Sequence, residues 1–188
     1  MFHYPDLKWT SLQAEAMGVP QLTRRTPGAK EAELADLEAA IREAKADHGL
    51  EGIYTGALAS VYQKTRVEKV CRDLDLECVS PLWGADPEFH LRRLVSEGFT
   101  AMVVGVAALG LDRSWLGRTL DDKSVSELLE LSRRYRFHAG LEGGEGETFV
   151  LDCPLFRRRI EVKESEVRWR GDSGTLEIRD ARLVPKGA

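Results

Sequence analysis

The alternation of helical and strand-like segments over residues 21–80 constrains the fold of this chain most. Residues 21–25 read as a strand. Residues 29–47 then form an amphipathic helix, with Leu34, Leu37, Ile41 and Ala44 on one face. A short strand over 52–55 follows. After it comes a helix over 60–74 that turns Val67, Val70 and Leu74 inward, and a second short strand over 77–80 closed by Pro81. Strands separated by helices need crossover connections, so the pattern predicts a parallel, doubly wound α/β sheet. Ahead of it, residues 9–18 make a short helix stopped by Gly18 and Pro20.

A second unit begins near Gly84, which divides the chain into residues 1–84 and a smaller α+β domain over 85–188. Asp86-Pro87 places an N-cap before a proline at the first helical position, and that helix carries Leu91, Leu94 and Val95. Residues 99–107 are almost continuously apolar, which predicts a central strand. Ser124 and Glu127 have capping-box spacing and open a helix running to about Tyr135. Residues 157–169 and 175–184 alternate as two strands, with Asp172-Ser173-Gly174 as the turn.

Composition excludes several classes. Of the 188 residues 43% are hydrophobic, enough for a packed core, while 27 basic and 31 acidic side chains leave a net charge of −4. That balance argues against binding nucleic acid directly through bulk electrostatics. No apolar run approaches the roughly 20 residues of a membrane span, and the first residues lack the pattern of a secretory signal. Cys71, Cys78 and Cys153 form no C-x-x-C pair and read as reduced thiols of a cytoplasmic protein. His3, His48, His90 and His138 are scattered without ligand spacing, so no metal-ligating residues are assigned.

Three stretches carry chemistry. Glu142-Gly143-Gly144-Glu145-Gly146-Glu147-Thr148 crowds three carboxylates onto a glycine-loosened backbone. It suits either a loop that wraps a ligand and handles a cation or proton, or a solvated turn. In Thr55-Gly56-Ala57-Leu58-Ala59-Ser60 a strand gives way to a helix. Ser60 there either caps the helix or contacts an anion at its N-terminus. On that helix Tyr62, Gln63 and Arg66 share one sector. Arg66 could hold a phosphate or join a surface ion pair. After the apolar strand, Leu116-Gly117-Arg118 could turn Arg118 toward an anion, whereas Trp115 and Trp83 read as packing residues, Trp83 between the two halves.

Taken in order, Gly56-Ala57-Leu58-Ala59-Ser60-x-Tyr62-Gln63-x-x-Arg66-Val67-Glu68, Pro81-Leu82-Trp83, Gly110-Leu111, Leu116-Gly117-Arg118, the glutamate–glycine loop and Leu151-Asp152-x-Pro154-Leu155-Phe156 closely resemble the diphthine–ammonia ligase family. That family is an ATP-binding one of the N-type ATP pyrophosphatase, or adenine nucleotide alpha hydrolase-like, class. The match includes Gln13-Ala14-Glu15-Ala16-Met17-Gly18-x-Pro20 and so runs over essentially the whole chain. The chain departs from the family pattern at Leu141, where glycine is usual, and at Gly146, where an aromatic residue is usual.

The resemblance implies a Rossmann-like nucleotide-binding domain whose sheet is incomplete in this chain. The family's Ser-Gly-Gly-x-Asp-Ser pyrophosphate loop is absent from the sequence, and a late-assigned start is the expected reason. The implied reaction uses ATP, with Mg²⁺, to activate the carboxylate of diphthine on translation elongation factor 2. Ammonia then forms the amide of diphthamide, releasing AMP and pyrophosphate. Gly56, Ala57, Ser60, Gln63 and Arg66 are implied nucleotide contacts, and Glu142, Glu145 and Glu147 the catalytic carboxylates. Tyr62, Arg118, Gly143, Gly144 and Thr148 are implied substrate contacts. A non-catalytic remnant that binds a nucleotide or partner, and a related pyrophosphatase with another substrate, are the alternatives. The missing strands predict open sheet edges and self-association, including homo-oligomers.

Overall fold

The computed structural model describes residues 7–26 and 32–187. Its described residues divide into two compact units, one within residues 21–85 and the other from residues 7–20 and 86–187. The architecture is mixed α/β, with a parallel sheet in the first unit and an antiparallel sheet in the second.

In the first unit, helix α2 (Ala32–His48) leads to strand β1 (Gly52–Tyr54), helix α3 (Val61–Asp73) and strand β2 (Glu77–Val79). The strands pair in parallel, with Ile53 opposite Cys78, as the helical crossover requires. Ile41 of α2 meets Val70, Cys71, Leu74 and Leu76 in a small core bordered by Leu37, Leu50, Ile53 and Val67. The Lys45 Nζ donates to the Leu74 carbonyl at 2.6 Å and ties the ends of the two helices together. Residues 21–25, expected as a strand, have no strand structure and are exposed. A strand needs a neighbour to accept its backbone groups, and none of the described strands pairs with this segment. Arg24 instead reaches Glu43 of α2 at 2.8 Å.

In the second unit, helix α1 (Thr10–Met17) precedes helix α4 (Pro87–Ser96), strand β3 (Thr100–Val106), helix α5 (Asp122–Tyr135) and strands β4 (Gly146–Asp152), β5 (Arg158–Arg170) and β6 (Ser173–Pro185). The sheet order is β4-β3-β6-β5, and all its pairs are antiparallel. β3 is interior, and its residues from Ala101 to Val106 are buried, as their apolar run predicts. Val125, Leu128 and Leu129 of α5 join Ile160, Leu176 and Ile178 of the sheet in the main core.

Helix α1 packs on this second unit, whereas the sequence assigned it to the first domain. Its fully buried Ala16 belongs to the main core. The Trp9 Nε1 donates to the Ile178 carbonyl at 2.8 Å, and the Gln13 Nε2 to Val150 at 2.9 Å. The Arg157 amide donates to Ala16 at 2.7 Å. Gly18 ends the helix at φ +73°, where a side chain would meet the Arg157 guanidinium at 2.6 Å.

Two local signals shift. The α5 cap is Asp121, with Ser124 at the third helical position. Asp121 accepts from the Ser124 amide, and Ser124 Oγ accepts from the Asp121 amide, each at 2.7 Å. The box therefore opens three residues earlier than its Ser124–Glu127 spacing suggested, because the extended backbone of Asp121 aims its carboxylate at the first turn. The β5–β6 turn is Gly171-Asp172, since Arg170 already pairs with Ser173. Gly171 supplies the positive φ of +60° that a two-residue hairpin loop needs at its first position.

Candidate functional site

In the first unit the residues singled out by sequence gather at the start of α3. Gly56 is exposed, with open space where a side chain would stand, while Ala57 and Leu58 are buried and anchor the loop. Ser60 acts as the N-cap, its Oγ accepting from the Gln63 amide at 3.4 Å. The Thr55 and Ser80 hydroxyls meet at 2.9 Å across the ends of β1 and β2. The Arg66 guanidinium lies 3.5 Å from the centre of the Tyr62 ring, a cation–π stack that holds it along the helix. The Tyr62 hydroxyl is buried and has no hydrogen-bond partner among the described residues. The capped helix start and the arginine one turn along it are groups of the kind that receive an anion. Lys64, which sequence did not single out, pairs with Glu68 and lies 5.2 Å over the Trp83 ring. Trp83, expected as packing, is 37% exposed.

In the second unit the glutamate–glycine segment is a tight loop that runs directly into β4. Only Glu142, Gly143, Gly144 and Glu145 lie outside the strand, while Glu147 and Thr148 stand on it opposite Gly105 and Val103 of β3. A solvated turn therefore describes only the first half. The Glu145 carboxylate accepts from the His138 amide at 3.1 Å and from the Gly143 amide at 2.6 Å. Its own carbonyl accepts from the Ala107 amide at 2.7 Å. Gly144 sits at φ +87° with open space around it. Burial, with Arg93 beside it, holds His90 of α4 below the usual histidine range, and Glu142 pulls it the other way. Glu142 thus acts electrostatically on α4. His138 is the residue sequence reasoning missed. Its amide is clamped by Glu145, and its buried Nδ1 has no partner among the described residues. Nothing in a lone histidine signals this, because the contact depends on how the loop closes.

Arg118 stands on the other side of β3. Its carbonyl accepts from the Val103 amide at 2.9 Å, whereas Thr148 faces Val103 from β4. The two backbones are thus about two strand spacings, or ~10 Å, apart. The Arg118 side chain stacks 4.1 Å from the buried Trp115 ring and pairs with Glu127 at 2.6 Å. That bond from Arg118 holds the Glu127 carboxyl below its ordinary range. Arg118, Thr119, Asp121, Lys123, Ser124 and Glu127 line an open hollow of about 570 Å³. No group of three or more His, Cys, Asp or Glu side chains fit to hold a metal occurs among the described residues. No helix of the described residues is long and apolar enough to cross a membrane.

Comparison with known proteins gives this geometry a family. Residues 1–78 match the diphthamide synthase N-terminal domain and residues 86–184 the diphthamide synthase C-terminal domain. The chain is 43% identical over 169 residues to the diphthine–ammonia ligase of Homo sapiens, an alignment covering 83% of this chain and 62% of the human protein. It is likewise 43% identical to that of Bos taurus over 169 residues, again 83% of this chain and 62% of the relative. To that of Schizosaccharomyces pombe it is 44% identical over 136 residues, 72% of this chain and 22% of the relative. The chain therefore spans about three fifths of the length of its mammalian relatives. Two domains matched in order, at such identity, on a chain whose matching motifs occupy two structured loops make it a member of the diphthamide synthase family.

Proposed function

We propose that this chain carries out the amide-forming step of diphthamide biosynthesis, converting diphthine on translation elongation factor 2 with ATP and ammonia. The observation that carries the proposal is the match to both diphthamide synthase domains, with relatives that bear the name diphthine–ammonia ligase. In this reading the first unit is part of a Rossmann-like, doubly wound nucleotide domain of a cytoplasmic enzyme.

The diphthine carboxylate oxygen attacks the α-phosphorus of ATP, and pyrophosphate leaves with the broken P–O bond. Ammonia nitrogen then attacks the acyl carbon, the C–O bond to AMP breaks, and the surplus proton passes to a base. Exposed Gly56 lets the nucleotide approach the backbone, and buried Ala57 holds that backbone in place beside it. The capped α3 start at Ser60 and Gln63 favours the phosphate. Arg66, held flat on Tyr62, needs little reorganisation to meet the developing charge. Bound Mg²⁺ would supply further neutralisation on the phosphates. Glu142 and Glu147, carried on the segment that Glu145 braces, serve the second half-reaction, where negative charge favours ammonium and the quaternary cation of diphthine. Gly144, Thr148 and Arg118 are assigned to substrate contact, Arg118 through the hollow beside Glu127, and Gly143 to the shape of the loop.

The test is an incubation of the protein with diphthine-bearing elongation factor 2, ATP and isotopically labelled ammonium. The expected outcome is label in the target amide with AMP released in equal amount. AMP release without incorporated label points to another substrate. Nucleotide binding with neither product points to a binding remnant, and either result sinks the proposal.

A further inference from the structure

We infer that Glu145 is a positioning residue, working through the backbone, and that Gly143 is glycine to make room for it. The inference rests on the proposed ligase reading and divides the labour among the three glutamates. A carboxylate that carries protons must be able to offer its oxygens to a ligand. Those of Glu145 are already engaged by two amides of its own loop, from His138 at 3.1 Å and Gly143 at 2.6 Å. These amides lie five residues apart in the chain, on either side of the Leu141 turn. That turn is closed by the Leu141 amide donating to the His138 carbonyl at 2.8 Å, and Leu141 itself sits at φ +59°. The Glu145 carbonyl bonds to Ala107 just beyond β3, so one residue fastens the loop to itself and to the sheet.

Gly143 has the matching constraint. A Cβ there would stand 2.5 Å from one Glu145 carboxylate oxygen and 2.9 Å from its carboxyl carbon. The glycine is thus required by the clamp, not by an approaching ligand. What the clamp presents is Glu142 on the outer arm of the loop and Glu147 on β4 opposite Gly105. Glu145 thereby holds the spacing of those two carboxylates, to which the ligase reading gives the second half-reaction.

The experiment uses the whole protein with Glu145→Gln, Glu145→Ala, Glu142→Gln and Glu147→Gln. Glutamine keeps one acceptor oxygen, so Glu145→Gln should stay within about tenfold of the parent kcat with the shape of its pH profile unchanged. Loss of a proton-carrying group costs on the order of 100-fold or more, which is expected for Glu142→Gln or Glu147→Gln. A fall of that size in Glu145→Gln, with either the His138 or the Gly143 amide still protected, overturns the inference. A second arm needs no turnover. Amide exchange at His138 and Gly143 should accelerate about tenfold or more in Glu145→Ala, with the Val103 amide unchanged. Unchanged exchange at both positions removes the clamp. If the parent protein makes no amide, the function proposal fails while the exchange result still decides the clamp. Should Glu145→Ala not fold, Glu145→Gln serves in the exchange arm, where whichever of the two amides loses its acceptor should accelerate while the other stays protected.

Discussion

Single residues in this chain carry constraints that only contact reveals. Gly110 lies at φ +94°, and a Cβ there would run into the Tyr135 ring. Gly110→Ala therefore combines backbone strain with a clash against the half-buried Tyr135 ring and should cost ~2 kcal/mol or more, read as a lower midpoint in urea denaturation. A midpoint within error of the parent would mean that Tyr135 swings aside freely. Cys71 offers a test through its charge. Burial, with Cys78 beside it, pushes its thiol up to about 11. The unfolded thiol ionises near pH 8.5, so its contribution to stability is full below about pH 8.5 and is lost as pH rises toward 11. Cys71→Ala should flatten the alkaline decline of the denaturation midpoint, and an identical slope in both proteins would refute the assignment. Leu141 and Gly146, the two departures from the family pattern, were visible in the sequence, but their relation was not. A Cβ on Gly146 would come 3.2 Å from Leu141 Cδ1 and 2.8 Å from the Gly105 carbonyl oxygen. The larger residue at one position thus covers the missing side chain at the other.

At the level of elements, periodicity and caps were legible because they depend on neighbours in sequence. The helix over 60–74 appears as α3, with Ser60 and Leu74 as its flanking caps. Asp86 caps α4 as its Asp-Pro start implies, accepting from the Phe89 amide at 2.8 Å. What failed depended on partners distant in sequence. Residues 21–25 have strand-like composition, yet no described strand pairs with them. Helix α1 was seen, but its attachment was not, since the acceptors at Val150 and Ile178 lie more than a hundred residues away. The α5 cap failed for a different reason, because two overlapping boxes compete and only geometry chooses Asp121. Ser124 is buried and serves both that box and the Thr119 carbonyl at 3.2 Å. Ser124→Ala should cost about 1–2 kcal/mol, measured by denaturant titration, and a neutral result would mean that water replaces the hydroxyl. The same helix start sets an acid limb. Hydrogen bonds from the Ser124 amide and hydroxyl hold Asp121 below its ordinary value, and Arg118 does the same for Glu127. Folded carboxyls of depressed pKa contribute stability above the unfolded value, about 4. That contribution is lost as pH falls through the lower folded value. Replacing Glu127 with Gln should reduce the drop in midpoint between neutral pH and about pH 3, and an undiminished drop would place the titration elsewhere.

For the molecule as a whole, the two units differ in how much they bury. The second unit gathers a large core on a four-stranded sheet, with β3 covered on both sides by neighbouring strands. Its long outer strand β5 is studded with charge, and Arg168 and Arg179 both pair with Glu177 of β6, at 3.0 and 2.9 Å. Such an edge discourages strand addition. The first unit has a core of Ile41, Val70, Cys71, Leu74 and Leu76 against two strands of three residues each. Few aliphatic side chains are buried there, so little hydrophobic stabilisation opposes local opening. Both strands keep an outer edge with no strand beside it among the described residues, and Tyr54 at the end of β1 is 78% exposed. The first unit should accordingly be the locus of local opening and of self-association. Hydrogen exchange on the intact chain should show the amides of Gly52–Tyr54 and Glu77–Val79 exchanging well ahead of those of Thr100–Val106 and Gly146–Asp152. Rising protein concentration should slow exchange at β1 and β2 first, as copies pair along the open edges. Uniform protection across both sheets, unaffected by concentration in a monodisperse monomer, would mean that the small sheet is stabilised by something other than its own core and edges.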